Sequence, residues 1–129
     1  MKFQALPVRI RCGATILVPN RLAVITSYVL LEQESWFEDE FGFVGSLLRP
    51  GEYAVDIGAN FGVYTVAMAE AVGPRGKIFA FEPAAETSAY LRATVQLEHS
   101  TQVEVIQAAL SDRNGRAQLR TGPSPELNA

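Results

Sequence analysis

From residue 53 onward, short apolar runs alternate with longer segments of helical character. Three of the runs predict strands, at Tyr53–Ile57, Lys77–Phe81 and Val103–Ile106. The segments between them, 63–72 and 84–98, have the length of helices and end at glycine or polar residues. A strand–helix–strand–helix–strand order favours parallel pairing with right-handed crossovers. The sequence therefore predicts a doubly wound, Rossmann-like α/β sheet whose first strand is buried on both faces.

Residues 1–34 predict a small amino-terminal extension. Val8–Cys12 alternates apolar and polar residues, Gly13-Ala14 can turn, and 15–18 returns, which predicts a β-hairpin. The following run, 22–31, is apolar nearly throughout and fits a helix or a strand equally well.

A helix is predicted next, because Ser35-Trp36-Phe37-Glu38 has the spacing of a capping box. Apolar residues then recur at helical intervals until Pro50-Gly51 ends the pattern: Phe37, Phe41, Val44 and Leu48. In the later helix, 84–98, the pattern predicts one apolar side formed by Ala89, Tyr90, Ala93 and Leu97. Arg116–Arg120 alternates as a short strand would, and residues 121–129 predict a loop-like tail.

Length and charge narrow the classes of protein to which the chain can belong. Its 129 residues suit one domain. Eleven basic and fourteen acidic residues are spread evenly along the chain, so no basic patch predicts nucleic-acid binding.

The single cysteine, Cys12, can form neither an internal disulfide nor a thiolate metal site by itself, which fits a reducing cytoplasm. The run 22–31 is about half the length of a membrane-spanning helix, and the amino terminus lacks a signal peptide's apolar core. We expect a cytoplasmic protein without a metal or a membrane partner.

Two carboxylates stand at the predicted carboxyl ends of neighbouring strands, where open parallel sheets bind their ligands. Asp56 lies on the first strand and Glu82 follows the second, with Gly58 and Gly62 flanking the turn between strand and helix. Glu82 lies twenty residues beyond Gly62, a separation that suits a carboxylate accepting from both hydroxyls of a ribose. Structural roles remain open: Asp56 can satisfy loop amides, and Glu82 can complement the dipole of the next helix.

The glycine loop argues against a phosphate ligand. Counted from Gly58, the positions of a dinucleotide fingerprint hold Gly58, Asn60 and Val63, so that pattern fails. A phosphate-binding loop of the G-x-x-x-x-G-K type fails as well, because no lysine follows. Asp56 repels phosphate but attracts a cation, and S-adenosylmethionine carries a sulfonium and an ammonium group with no phosphate. A nicotinamide-dependent oxidoreductase is the weaker alternative.

Three motifs in order resemble the FkbM-type S-adenosylmethionine-dependent methyltransferases. They are Val55-Asp56-Ile57-Gly58-Ala59-Asn60-Phe61-Gly62-Val63-Tyr64-Thr65, then Phe81-Glu82-Pro83, then Ala108-Ala109-Leu110-Ser111-Asp112. The resemblance spans roughly residues 35–120, so that region is expected to be the cofactor-binding part. It implies a class I methyltransferase fold, S-adenosylmethionine as cofactor, and methylation of a hydroxyl oxygen on a small molecule or sugar.

The resemblance also implies which residues bind the cofactor. The methionine and ribose end is assigned to Asp56, Gly58, Ala59, Asn60 and Gly62, and the cofactor carboxylate lies beside Tyr64 and Thr65 at the start of the first crossover helix. Glu82, followed by Pro83, is assigned to the ribose hydroxyls, and Ala109 and Leu110 to the adenine. No catalytic residue is identified.

The chain departs from the family pattern after the third strand. FkbM-type proteins continue to a segment resembling K-I-D-x-E-G, which forms a fourth strand against the first, and no such segment is present. The sheet is therefore expected to be incomplete, with the first strand at an exposed edge. Either a carboxyl-terminal portion or a partner, such as a second copy, is expected to cover that edge. The alternative to an enzyme is a truncated, non-catalytic cofactor-binding module or partner subunit.

Overall fold

The computed structural model describes residues 4–10, 12–21, 24, 26, 27, 29 and 40–120. Eight elements have defined bounds in this part of the chain. The strands are β1 (Ala5–Arg9), β2 (Thr15–Pro19), β3 (Tyr53–Ile57), β4 (Lys77–Phe81) and β5 (Val103–Ile106). The helices are α1 (Glu40–Leu47), α2 (Val63–Val72) and α3 (Ala85–Leu97).

β1 and β2 form the predicted hairpin, paired antiparallel with Val8 opposite Ile16. The turn is closed by the Ile10 amide, which donates to the Ala14 carbonyl at 2.9 Å. β1 begins earlier than expected and ends at Arg9, so Cys12 lies in the turn instead of in a strand. Most of the ambiguous run 22–31 lies outside the described residues.

The second sheet is parallel, in the order β3-β4-β5. Its three strands have the bounds that the apolar runs predicted, and α2 and α3 form the two crossovers. Both helices pack on the same face of β4: α2 contributes Val72 to the cluster around Ile78, and α3 contributes Leu91 to the cluster around Ala80. The opposite face has no helix among the described residues.

This one-sided cover corrects one prediction and confirms another. β3 is not buried on both faces: Tyr53, Val55 and Ile57 are 71%, 53% and 65% exposed. They point to the uncovered face, whereas Ala54 packs on the helical side. The expected position of this strand at the edge of an incomplete sheet is confirmed, because no described strand pairs with its free side.

The hairpin packs on the helices to form the largest hydrophobic core. Ile16 and Val18 are fully buried with Phe61, whose ring meets Tyr90 edge-on at a centroid distance of 5.8 Å. The Leu17 amide donates to Thr94 Oγ1 at 2.9 Å, and the Thr15 amide donates to Glu98 Oε1 at 2.8 Å. Thr94 of α3 and Glu98, which follows the helix, supply these acceptors, so a partly polar face of α3 is turned inward.

The predicted apolar side of α3 is therefore wrong in part. Tyr90 is buried, but Ala89 and Leu97 are exposed, and Thr87, Ser88, Leu91 and Thr94 take the inner positions. A helical period of apolar residues does not single out Thr94, whose partner, the Leu17 amide, lies 77 residues away in the hairpin.

The remaining predictions concern the helix before β3 and the segments near the two ends of the chain. In α1, Val44 and the following Leu48 pack against the cluster that contains Met68, as the predicted stripe requires. The capping box at 35–38 and the tail at 121–129 lie outside the described residues. Arg116–Arg120 is not a strand: all five residues are exposed, and no neighbouring strand pairs with them. No helix in the described part of the chain has the length and apolar character to cross a membrane.

Candidate functional site

The loop after β3 folds back over the end of β4. The amides of Gly58 and Ala59 both donate to the Phe81 carbonyl at 2.9 Å. Three loop residues, Gly58, Asn60 and Gly62, have φ values of 74°, 51° and 95°, and glycine is favoured at such positions because it has no Cβ. The local sequence therefore gives a tight turn that brings Asn60 to the end of β4 and starts α2 at Val63.

Glu82 fastens this loop to the start of α3. Its Oε2 accepts from the Asn60 amide and its Oε1 accepts from the Ala84 amide, each at 2.9 Å. The residue is 8% exposed. An ionised carboxylate offers about four lone-pair positions, so these two bonds leave acceptor capacity. Glu82 thus satisfies a loop amide, the role that was left open for Asp56, and also the Ala84 amide just before α3. Its role toward a ribose stays a prediction.

Asp56 projects from β3 toward the first turn of α2. Its Oδ2 accepts from the Thr65 hydroxyl at 2.6 Å. Burial raises the pKa of Asp56, the Thr65 hydrogen bond lowers that pKa, and the negative charge of Glu82 raises it. The two carboxylates therefore influence each other electrostatically, as expected for groups at neighbouring strand ends. A cation placed between them would relieve this repulsion.

One polar atom in the loop has no partner. Asn60 Oδ1 is buried and accepts no hydrogen bond, and an unsatisfied buried acceptor costs on the order of 1–3 kcal/mol. A cavity of about 140 Å³ adjoins this residue. Its lining consists of Thr26, Gly58, Ala59, Asn60, Phe61, Val63 and Tyr64. An orphaned acceptor beside a cavity is the arrangement expected where a ligand donates a hydrogen bond.

A larger cleft of about 740 Å³ begins at Pro83, the residue after Glu82. Pro83 and Ala109 line it, together with Ala108, Ser111 and the irregular segment that continues to Leu119. Leu110 is 49% exposed and is not part of the lining.

The predicted site residues are thus brought together with one exception. The smaller cavity is lined by Gly58, Ala59, Asn60 and Tyr64, and the larger cleft by Pro83 and Ala109. Asp56 and Thr65 are hydrogen-bonded to each other, and Glu82 holds the loop through the Asn60 amide. Gly62 begins α2 and packs against Leu91. Leu110 stands apart. Whether these residues bind a cofactor stays a prediction.

Thr26, Phe61 and Val63 line the smaller cavity and were not predicted as site residues. Phe61 and Val63 lie inside the loop motif, so the motif was the signal that could have identified them. Thr26 lies in the ambiguous run 22–31, and no local pattern connects that run to the loop. No group of three or more histidine, cysteine or acidic residues in the described ranges is arranged to hold a metal ion.

Comparison with known proteins gives two curated relatives, and no protein-family model matches. The chain is 36% identical over 83 residues to the 31-O-demethyl-FK506 methyltransferase FkbM of Streptomyces tacrolimicus, which covers 64% of this chain and 31% of that protein. It is 34% identical over 87 residues to the AMB antimetabolite synthetase AmbE of Pseudomonas aeruginosa, covering 67% of this chain and 4% of that protein. The chain therefore spans less than a third of the length of either relative.

Solved structures agree on the fold. A TYW2 protein of M. jannaschii in complex with AdoMet superposes with a TM-score of 0.61 at 18% identity, over 84% of this chain and 45% of that one. A precorrin-6y C5,15-methyltransferase of Geobacter metallireducens superposes with a TM-score of 0.50 at 20% identity, over 59% and 41%. The expected α/β fold of class I methyltransferases and the likeness to an FkbM methyltransferase are both confirmed.

Proposed function

From its likeness to an FkbM methyltransferase and its class I fold, we propose that this chain binds S-adenosylmethionine at the carboxyl ends of β3 and β4. We propose further that it is the cofactor-binding part of a methyltransferase that methylates a hydroxyl oxygen on a small molecule or sugar. The observation that carries the proposal is the meeting of Asp56 and Glu82 around a loop whose Asn60 Oδ1 lacks a partner.

The site fits the cofactor in shape. Glu82 lines neither cavity, but its carboxylate bonds the Asn60 amide beside the smaller one and it precedes Pro83 of the larger one. The free lone pairs of its carboxylate suit the ribose hydroxyls of a cofactor that spans both cavities. The smaller cavity, with Tyr64 and the start of α2, would then hold the methionine end, and the larger cleft, with Ala109, would hold the adenine.

The site also fits the cofactor in charge. Asp56 and Glu82, which flank the glycine loop, are both acidic, and no lysine or arginine lines the smaller cavity, whereas Arg113 and Arg116 line the larger cleft. The smaller cavity therefore favours an ammonium or a sulfonium group over the pyrophosphate of a nicotinamide cofactor. The orphaned Asn60 Oδ1 would accept a hydrogen bond from a donor of the ligand.

When bound, S-adenosylmethionine supplies a methyl group on a positively charged sulfur. The residues of this chain would bind and orient the cofactor, and positioning can supply much of the acceleration of an in-line transfer. Asp56 is held in place by Thr65, and Glu82 by two backbone amides. No general base is assigned, since His99, the chain's one histidine, follows α3 at the opposite edge of the sheet.

A second candidate function is a non-catalytic cofactor-binding module or partner subunit. The absence of an assignable general base among the described residues favours it. The two candidates share the cofactor site and differ in turnover. Calorimetry with S-adenosylmethionine tests the shared site, and transfer of a labelled methyl group to a panel of sugars and alcohols separates the candidates. Binding without transfer to any acceptor supports the module, whereas binding of NAD alone contradicts both.

Affinity for S-adenosylmethionine is expected to depend on pH through Asp56. The pKa of Asp56 is raised above 3.8 in the folded chain, and only its ionised form attracts a cation. Affinity should therefore rise as the pH increases through that raised pKa and level off above it. Asp56→Asn should bind about tenfold more weakly at neutral pH, with most of this dependence lost. Calorimetry over a pH series measures both effects.

Thr65→Val is the matched variant for this prediction. It removes the hydroxyl that lowers the pKa of Asp56 and leaves the carboxylate in place. The midpoint of the pH dependence should move to higher pH. An unchanged midpoint would assign the dependence to another group.

A further inference from the structure

A residue from the segment that follows β2 reaches the smaller cavity of the candidate site. Thr26 is buried, with 2% of its surface exposed, and it lines the cavity of about 140 Å³. Of the described residues in this lining, all except Thr26 belong to the stretch 58–64. The cavity is therefore formed by two parts of the chain that are more than thirty residues apart.

Described contacts on both sides of Thr26 hold it at this position. The Ser27 hydroxyl donates to the Pro19 carbonyl, at the end of β2, at 2.9 Å. Val24 is buried in the core cluster that contains Phe61, and Phe61 itself lines the cavity. The segment is thus fixed to the hairpin and packs with the glycine loop, so the fold of the chain places Thr26 at the cavity before any ligand binds.

The polar groups of the cavity suit the α-amino acid end of a ligand. Asn60 Oδ1 is a buried acceptor without a donor, and an ammonium group would supply one. A threonine hydroxyl has one donor and two acceptor positions, so Thr26 can bond a ligand in addition to a protein partner. Hydrogen bonds to an ammonium or a carboxylate group are stronger than those between neutral groups.

The size of the cavity limits what part of a ligand it takes. Its volume of about 140 Å³ is well below the roughly 300 Å³ or more of a pocket that holds a whole drug-sized molecule. It therefore suits one end of a larger ligand whose remainder lies outside it.

From this arrangement we propose that Thr26 contacts the amino-acid end of S-adenosylmethionine and makes the site selective for sulfur nucleosides that carry this end. The proposal rests on the proposed function, since it concerns the same cavity. The glycine loop and Thr26 line the cavity together, so the ammonium or carboxylate group lies between them. A nucleoside without the amino-acid end, such as 5′-methylthioadenosine, leaves this contact unmade.

The test compares two ligands by calorimetry. S-adenosylhomocysteine retains the amino-acid end, and 5′-methylthioadenosine lacks it. Thr26→Val keeps the shape of the side chain and removes the hydroxyl. It should weaken binding of S-adenosylhomocysteine by roughly tenfold or more and change binding of 5′-methylthioadenosine by less than about twofold. Thr26→Ser keeps the hydroxyl and should bind S-adenosylhomocysteine nearly as tightly as the unmodified chain.

Thr94→Val is the matched control, because it makes the same substitution at another buried threonine. Thr94 bonds the Leu17 amide of the hairpin and lines neither the smaller cavity nor the larger cleft. Thr94→Val should lower the midpoint of urea denaturation and leave the affinities for both ligands unchanged. Loss of affinity in Thr26→Val alone therefore reports the cavity and not a general weakening of the fold.

A second measurement uses the unmodified chain, so it decides the matter even if Thr26→Val does not fold. With S-adenosylhomocysteine bound, the Thr26 methyl group should show a nuclear Overhauser effect to the methylene protons of the amino-acid end. If the chain binds neither ligand, the proposed function and this inference fail together. If it binds S-adenosylhomocysteine without this effect, or if Thr26→Val weakens binding of both ligands equally or of neither, the inference alone is contradicted.

Discussion

Glu82→Ala is expected to lower the free energy of unfolding by roughly 2–5 kcal/mol and to weaken S-adenosylmethionine binding by on the order of 1.5–3 kcal/mol. The stability loss arises because the amides of Asn60 and Ala84 lose their acceptor together. The affinity loss arises because the same carboxylate is proposed to accept from the ribose. Urea denaturation measures the first effect, and calorimetry below the denaturation midpoint measures the second.

Two variants separate the roles of Glu82. Glu86→Ala removes an exposed carboxylate that lies 3.6 Å from Arg21, so it should change stability by less than about 1 kcal/mol and leave affinity unchanged. Glu82→Gln keeps one acceptor oxygen and should preserve more of the fold than Glu82→Ala. If folded Glu82→Gln binds the cofactor as tightly as the unmodified chain, Glu82 has only the structural role.

Gly62→Ala is the second substitution with a large expected effect. A Cβ at this position would lie 2.5 Å from Leu91 Cδ1, and the φ of 95° is one that residues with a side chain rarely adopt. The strained backbone costs about 1–2 kcal/mol, and crowding a packed core adds typically about 1–3 kcal/mol. We expect a loss of roughly 2–5 kcal/mol in the free energy of unfolding, measured by urea denaturation.

Gly58→Ala is the matched control. Gly58 also has a positive φ, of 74°, but a Cβ there would meet nothing within 4 Å. Its cost should be confined to the backbone, about 1–2 kcal/mol. Equal losses for the two variants would show that Leu91 moves aside freely and that the packing of α3 on the loop is looser than described.

The parts of the fold that the sequence predicted are those set by local pattern. The bounds of β3, β4 and β5 follow from short apolar runs between glycine, proline and polar residues. The placement of Asp56 and Glu82 follows from topology, because parallel neighbours end at the same edge of a sheet. Both are consequences of residues near each other in the chain.

The predictions that failed depend on contacts between distant residues. The inner face of α3 is set by the hairpin, whose Leu17 amide needs Thr94, so helical periodicity alone chose the wrong residues. Val55 is exposed because α2 and α3 both lie on the other face of the sheet. An apolar run in the sequence does not show which face of its strand the crossover helices will cover. Thr26 reaches the smaller cavity through tertiary packing.

The most direct measurement is an NMR titration of the labelled chain with S-adenosylmethionine, read amide by amide. The amides of Gly58, Asn60 and Gly62 and of the residues around Glu82 and Ala109 should shift together and saturate. The account would be contradicted if the chemical shifts of these amides do not change. It would also be contradicted if the shift changes cluster at the separate cavity of about 320 Å³ that Cys12, Glu70 and Glu98 help to line.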